Sequence, residues 1–479
     1  MIPYLIKTFR GGLSSESDKG VAGSFKFGEN LDIHDTDDVL KCASSVATID
    51  ETLVNQIINF FVTAKDGTTY AFGANGSIYA IAGQASDPVV SFAYNDENGA
   101  IKGAGEWEYE DGNNYIKWAT ATSVARVLMN GSKDLPWSGV TADWKTTLDN
   151  ADWHTMKPAA GSLLIANNNF LAEVDYSGDF DPAALDIIPG NNIKALEERD
   201  DYVILGSTKT DRAEEGHIWS WLTSALSWVQ KKKIPVKGVN ALVQTELNLL
   251  QGGAEGEIFS SDFQNITPLH KAPGGGQVSP GGVSIDNDLA LFGFYGGTNP
   301  GLYTYGRRMR NRPYAFNLQY KLAKSVAGSA ISTIGAVAVV NGLALASWGT
   351  TDESISDYGI DMVSSTTRAT AKYEGLEFDG GKPHEKKTVR SVHVITSPLS
   401  SGCSYSIKYK TNKESNWRYA VTGSGATTHS TADSVDSHFT IGTDALIYEV
   451  GAELNPSGSS TPEIQAIVTY LAPETNAHG

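Results

Sequence analysis

Four arginines crowd into six residues, Arg307-Arg308-Met309-Arg310-Asn311-Arg312, in a chain whose net charge is −18. The run ends at Pro313 and follows an apolar stretch, so it is expected to be a loop. Guanidinium groups pair with carboxylates or phosphates in a two-pronged geometry. The plainest reading is a solvated loop that offsets local acid. The functional one is a docking contact, through Arg307, Arg308, Arg310 and Arg312, with an acidic neighbour. Direct nucleic-acid contact is the weakest of the three, because no aromatic platform is interleaved and the overall charge opposes it.

Three tryptophans, Trp219, Trp221 and Trp228, form a second cluster. Trp219 and Trp221 share one face of a strand by its period of two. Such rings can stack on sugars, but core packing is the commoner use. An acidic stretch, Asp175-x-Ser177-x-Asp179-x-Asp181 with Asp186 at the twelfth position, imitates a calcium loop. Phe180 stands at the sixth position, where such loops need glycine, and Asp186 replaces the usual Glu, so a polar inter-strand loop is the better expectation. Cys42 and Cys403 are the only cysteines, and they read as two unrelated free thiols. No CxxC, HExxH, HxH, GxSxG or P-loop occurs. The Ser-x-Asp-x-Gly-x-x-Trp boxes of sialidase-type propellers are missing too. Catalytic residues, cofactors and metals are therefore all expected to be none.

The elements that hold these residues are strands. Of 479 residues 49 are Gly, 10% are aromatic and only 19% are charged. That excludes disorder, which needs few aromatics and dense charge, and a coiled coil, which needs Ala, Glu, Lys, Leu and Arg in bulk. The acidic balance also argues against a nonspecific nucleic-acid or anionic-membrane binder, though not against a wall past which DNA slides without sticking. The opening Met1-Ile2-Pro3-Tyr4-Leu5-Ile6 is too short for a signal peptide's apolar core. The long small-apolar stretch 326–349 is broken by Asn341-Gly342, a hairpin pair, and reads as two strands instead of a membrane span. Synthesis in the cytoplasm is expected.

A repeat sets the architecture. Ile188-Pro189-Gly190-Asn191-Asn192-Ile193-Lys194-Ala195-Leu196 recurs 46 residues later as Ile234-Pro235-Val236-Lys237-Gly238-Val239-Asn240-Ala241-Leu242. Each copy runs into an apolar strand and then a Gly-x-Ile-aromatic element, at Gly216 and Gly256. Related elements start near 76, 114, 169, 301 and 359, giving a mean spacing near 47. Units of 40–50 residues with about four short strands are β-propeller blades. About seven are countable, with six to eight as the range, and Gly23-Ser24-Phe25-Lys26-Phe27 could supply a strand that closes the ring.

The pattern stops near residue 380. Gly380-Gly381-Lys382-Pro383-His384-Glu385-Lys386-Lys387 reads as a linker, and six alternating strands follow, as in a β-sandwich. Residues 386–479 carry a net −1, leaving −17 on the rest. The expected layout is an N-terminal arm at 1–22, an all-β propeller at 23–380, a linker at 381–388 and a C-terminal β-sandwich at 389–475. Proteolysis would then cut near 380–388.

Three stretches carry a resemblance. Lys7-Thr8-Phe9-Arg10-Gly11-Gly12-Leu13 resembles the start of many tailed-bacteriophage tail and neck proteins. Gly301-Leu302-Tyr303-Thr304-Tyr305-Gly306-Arg307, followed by Pro313 and Asn317-Leu318-Gln319-Tyr320, is similar to a blade of such proteins, and Thr461-Pro462-Glu463-Ile464-Gln465-Ala466-Ile467 to the closing strand of their sandwich. The resemblance implies a non-enzymatic structural part of a virion tail or neck, nozzle-like or associated with the tail hub. Its partners would be copies of itself in a symmetric ring and other tail or neck proteins. It implies no membrane, no sequence-specific nucleic acid, and at most passive contact with the exiting genome. Two other functions stand beside it: a host-surface glycan-binding tail module, and a polysaccharide-cleaving propeller enzyme.

Overall fold

A computed structural model describes residues 2–34, 38–65, 67–83, 88–109, 112–129, 137–210, 215–326, 328, 330–350 and 357–473. The chain folds into two compact units. One comprises 47–302 and 322–362; the other is woven from 1–46, 303–321 and 363–479.

The first unit is a seven-bladed propeller. Five blades are complete four-stranded antiparallel meanders. Blade 1 is Ile58–Thr63, Thr69–Gly73, Ser77–Ala82 and Val89–Asn95. Blade 2 is Gly103–Glu108, Asn114–Ala119, Val124–Met129 and Thr141–Lys145. Blade 3 is Met156–Ala159, Ser162–Asn167, Phe170–Val174 and Phe180–Asp186. Blade 4 is Asn191–Arg199, Tyr202–Lys209, Gly216–Leu222 and Gln230–Ile234. Blade 5 is Val239–Gln244, Asn248–Gly252, Glu257–Ser261 and Ile266–Lys271. The sixth starts with the hairpin Val283–Asp286 and Leu289–Phe294 and reaches Gly301 and Leu302. The seventh is Ile331–Val340, Leu343–Thr350 and Tyr358–Arg368, with Ser44–Asp50 as its fourth strand.

The first strands of successive blades touch all the way round, and the seventh meets the first. Small residues permit this approach. A Cβ on Gly335 would lie 2.1 Å from the Ile58 carbonyl oxygen, and one on Gly103 only 1.7 Å from that of His154. The sequence repeat marks equivalent sites in blades 4 and 5. Both copies carry a bulge at the repeated Ile/Val-x-Ala, between Ile193 and Ala195 and between Val239 and Ala241. Such a bulge adds one residue and sharpens the local twist. At the 341–342 turn Asn341 and Gly342 both have positive φ, 51° and 76°, as a type I′ hairpin requires.

Ring closure differs from expectation. Ser24–Phe25 pairs in parallel with Gly12–Leu13, and Phe27–Glu29 pairs with Ala371–Glu374, all within the second unit. The closing strand is Ser44–Asp50. Asp361, buried, pins it: its carboxylate accepts bonds from Thr48 Oγ1 (2.8 Å), Trp348 Nε1 (2.7 Å) and the Ala323 amide (2.7 Å). Burial pushes its pKa up while these donors pull it down. Third strands match the Gly-x-Ile-aromatic elements except at 114, which is the second strand of blade 2.

The second unit is a β-sandwich with two sheets. One runs Ile2–Ile6, Ile464–Pro473, Lys387–Thr396, Asp436–Ala445, Val421–Thr422. The other runs from 303–306 through Ala315–Tyr320, Phe27–Glu29, Ala371–Glu374, Tyr448–Asn455 and Ser404–Thr411 to Arg418–Tyr419. Tyr405 meets Phe439, and Tyr4 stacks on Phe378 at 4.0 Å. The boundaries expected at residues 22, 380 and 388 are therefore not where this division falls. Residues 1–22 join the sandwich because Ile2–Ile6 pairs along Ile464–Pro473. The stretch 381–388 is not a free linker: the buried Lys387 ammonium donates to the carbonyls of Lys382 and Glu385 (2.7 Å), and Gly381 N donates to Asp379 (2.8 Å). No described helix is long and apolar enough to cross a membrane.

Candidate functional site

The arginine loop belongs to the second unit. It leaves the strand Gly301–Gly306, turns at 308–312 and re-enters at Ala315–Tyr320. Its four arginines are not equivalent. Arg307 folds back, donating to the Arg310 carbonyl (2.9 Å) and lying 4.7 Å over the Tyr314 ring. Arg312 is half-buried, and its amide closes the turn onto the Met309 carbonyl (3.0 Å). Arg308 and Arg310 are exposed. Arg308 makes a loose ion pair, 4.0 Å, with Asp32. Of the four arginines read from the sequence as a docking contact, Arg308 and Arg310 are thus the exposed pair, while Arg307 and Arg312 shape the loop.

Beneath the loop lies a polar layer. Asp32 and His34 are both buried; the Asp32 carboxylate accepts from the His34 amide (3.3 Å), and His34 Nε2 meets Thr304 Oγ1 (2.9 Å). Burial, aided by the Arg308 charge, holds His34 down at about 3, so the ring is neutral at physiological pH. Nearby in the same unit, the Glu29 carboxylate is buried between Lys372 (3.1 Å) and Lys321 (3.4 Å). Lys26 bridges Glu449 (3.1 Å) and Glu377 (3.5 Å). These pairs tie together strands from all three chain segments of the unit. Breaking one by removing a single partner would leave a buried charge unpaired.

The other candidates fall into the packing. Trp219 and Trp221 are buried in the face that blade 4 turns to blade 3, with Trp228 edge-on to Trp219 at 5.1 Å. Their indole N–H groups are spent on Ser207 Oγ (2.9 Å) and the Ala225 carbonyl (2.9 Å). They present no platform to a sugar. The calcium-like stretch spans a hairpin turn and the outer strand of blade 3. Asp175 accepts from Ser177 Oγ and the Asp179 amide, both at 2.8 Å; Asp181 accepts from the Ala183 amide, and Asp186 from Asn169. The carboxylates serve separate turns. Among the described residues no three His, Cys, Asp or Glu side chains gather as a metal would need. Cys42 and Cys403 are free and buried, and burial pushes both thiols up.

Sequence reasoning gave no sign of the cationic box in blade 2. Lys117 is wholly buried and donates to Tyr109 Oη (2.7 Å). Its ammonium lies 4.1, 4.8 and 5.1 Å from the ring centres of Tyr109, Trp144 and Tyr115. Arg126, directly opposite on the neighbouring strand, shares the same three rings. Burial, and then the Arg126 charge, pulls Lys117 down to about 6, while the ring faces favour the cation and oppose that shift. Pairing of alternate residues on adjacent strands could have suggested the box only with the register known.

No protein-family model matches the chain, and no curated protein matches it. Among solved structures it is similar to a chain of the mitotic checkpoint complex, at 11% identity and a TM-score of 0.44, over 66% of this chain and 92% of that one. It is also similar to the WD40 β-propeller domain of Doa1, at 11% identity and 0.45, over 67% and 97%. A third is the extracellular domain of a putative hybrid two-component system, BT4673, from B. thetaiotaomicron, at 13% and 0.44, over 79% and 44%. Likenesses of this order carry no functional argument. The propeller stands on its own closed ring of blades.

Proposed function

We propose that this chain is a non-enzymatic structural component of a tailed-phage virion, placed in the tail or neck, where it assembles with itself and with neighbouring tail proteins. One observation carries the reading. The stretches that resemble phage tail and neck proteins are far apart in sequence, yet all but Gly301 and Leu302 fall in the same unit. Phe9 of the opening segment is buried edge-on against Tyr373 at 5.6 Å, and Gly12–Leu13 pairs with Ser24–Phe25. Residues 303–307 and 317–320 supply two strands and the start of the arginine loop. Ile464–Pro473 pairs with both Ile2–Ile6 and Lys387–Thr396.

Arg308 and Arg310 are the assembly contacts of this reading. Each exposed guanidinium can make charge-assisted hydrogen bonds to a partner carboxylate, worth ~1.5–3 kcal/mol apiece. The double variant Arg308→Gln, Arg310→Glu should fold normally, because both side chains are exposed, the Arg308–Asp32 pair is loose, and Gln places no like charge beside the buried Asp32. It should be under-represented in particles assembled in cells that supply only the variant. Incorporation at the normal level would remove these residues from the assembly interface.

A further inference from the structure

Blades 1, 2 and 3 bring the hairpin ends of their strands together around an open bowl of about 630 Å³. The first strand of blade 2, Gly103–Glu108, runs through it as a ridge, and its alternation gives the bowl two unlike sides. Ala104, Glu106 and Glu108 lie toward blade 1. There Lys65 ties the polar side together: its ammonium pairs with Glu108 and donates to Asn114 Oδ1 (3.4 Å), and its amide donates to Glu106 (3.4 Å). Trp107 lies toward blade 3, where its indole N–H donates to the Asp175 carbonyl (3.4 Å).

That bond, with the turn bonds from Asp175 N to Asp179 O and from Gly178 N to Asp175 O, fixes the tight hairpin 175–179. Gly178 sits on the face of Tyr109, where an added Cβ would lie 3.2 Å from the ring. Held from both sides, the hairpin projects Tyr176 into the bowl with 47% of its surface exposed. The Tyr176 hydroxyl has no hydrogen-bond partner among the described residues. Tyr176 is thereby an aromatic ring presented to solvent on a fixed turn at the edge of the bowl.

We propose that this bowl is a binding site for an uncharged saccharide. Tyr176 and the edge of Trp107 offer apolar surface to the C–H face of a sugar ring. Glu106 and Glu108 are acceptor-only groups that take O–H donors, and Asn114 and Lys65 can donate to the same hydroxyls. Two carboxylates against one ammonium repel phosphate and carboxylate ligands, which excludes nucleotides and acidic sugars. The volume lies within the range of small-ligand sites. The site is independent of the assembly role proposed above, and its test does not touch the arginine loop.

The test uses the full-length protein and a panel of neutral di- to tetrasaccharides built from glucose, galactose and N-acetylglucosamine, with a lysine-rich peptide as competitor. Binding is read by saturation-transfer NMR and by tryptophan fluorescence. At least one saccharide should bind, and Tyr176→Ala should weaken it roughly tenfold or more. Glu106→Gln should also weaken it. Tyr419→Ala, which removes an exposed ring in the other unit, should leave it unchanged. Unchanged melting temperatures keep the comparison about binding. The proposal is overturned if no panel member binds with Kd below about 10 mM, if the Tyr176 and Glu106 variants bind as the wild type does, or if the lysine-rich peptide alone binds.

Discussion

Replacing Lys117 with Met should stabilise the protein at neutral pH, and the gain should fade as pH rises. In the unfolded chain Lys117 holds its proton up to its ordinary 10.5; in the folded protein it releases it above about 6. Between those values the unfolded state binds one proton more, so this residue makes stability rise with pH, at up to ~1.4 kcal/mol per unit. At pH 7 the full interval would cost about 5 kcal/mol. Three ring faces within 4.1–5.1 Å of the ammonium favour the charged form and trim that cost, each by ~0.5–2 kcal/mol. The lost bond to Tyr109 Oη is worth ~1 kcal/mol more. With ring contributions near the low end of that range, a net gain of up to about 2.5 kcal/mol at pH 7 remains for a Met that fills the same space. Urea unfolding of both proteins at pH 7, 8, 9 and 10, followed by tryptophan fluorescence, measures it. A difference that stays flat with pH, or a variant less stable at every pH, would refute the reasoning and mean that the folded ammonium remains charged in its aromatic box.

Three further outcomes follow from the same packing. Asp361→Ala leaves Thr48, Trp348 and the Ala323 amide without their shared acceptor, so denaturation should show a loss of about 3–5 kcal/mol. Limited proteolysis of the native protein should spare 380–388, because Lys387 and Gly381 hold that turn; Lys387→Ala should open it to cleavage, and early cutting in the wild type would contradict the structure. The purified protein should not retard duplex DNA in a gel even near 0.01 M salt, where the Debye length reaches ~30 Å. Salt-sensitive retardation would turn Arg308 and Arg310 from protein contacts into phosphate contacts.

Local patterns made much of this fold readable. The 46-residue repeat is one blade, the Asn341-Gly342 pair is a hairpin, and each of the later alternating runs lies in or overlaps a strand of the sandwich. What escaped reading depends on pairing across long sequence distance. Ser44–Asp50 has no apolar run and is half-exposed, so nothing local marks it as the strand that completes blade 7. Residues 1–46, 303–321 and 363–479 look separate in sequence and belong to one unit because their strands share two sheets. The arginine run was visible, but not that Arg307 would spend itself on Arg310 and Tyr314. Trp219 and Trp221 showed their shared face without showing that blade 3 covers it. The saccharide bowl has no motif at all, since its residues come from three blades.

The central claim, a structural place in a phage tail or neck, is tested most directly in the particle. Intact virions from the source of this sequence should be purified, their proteins identified by mass spectrometry, and the tail and neck solved by cryo-electron microscopy. The account predicts several copies of the chain in a closed symmetric arrangement, with Arg308 and Arg310 against carboxylates of a neighbouring subunit. Infectious particles that lack the chain would contradict it.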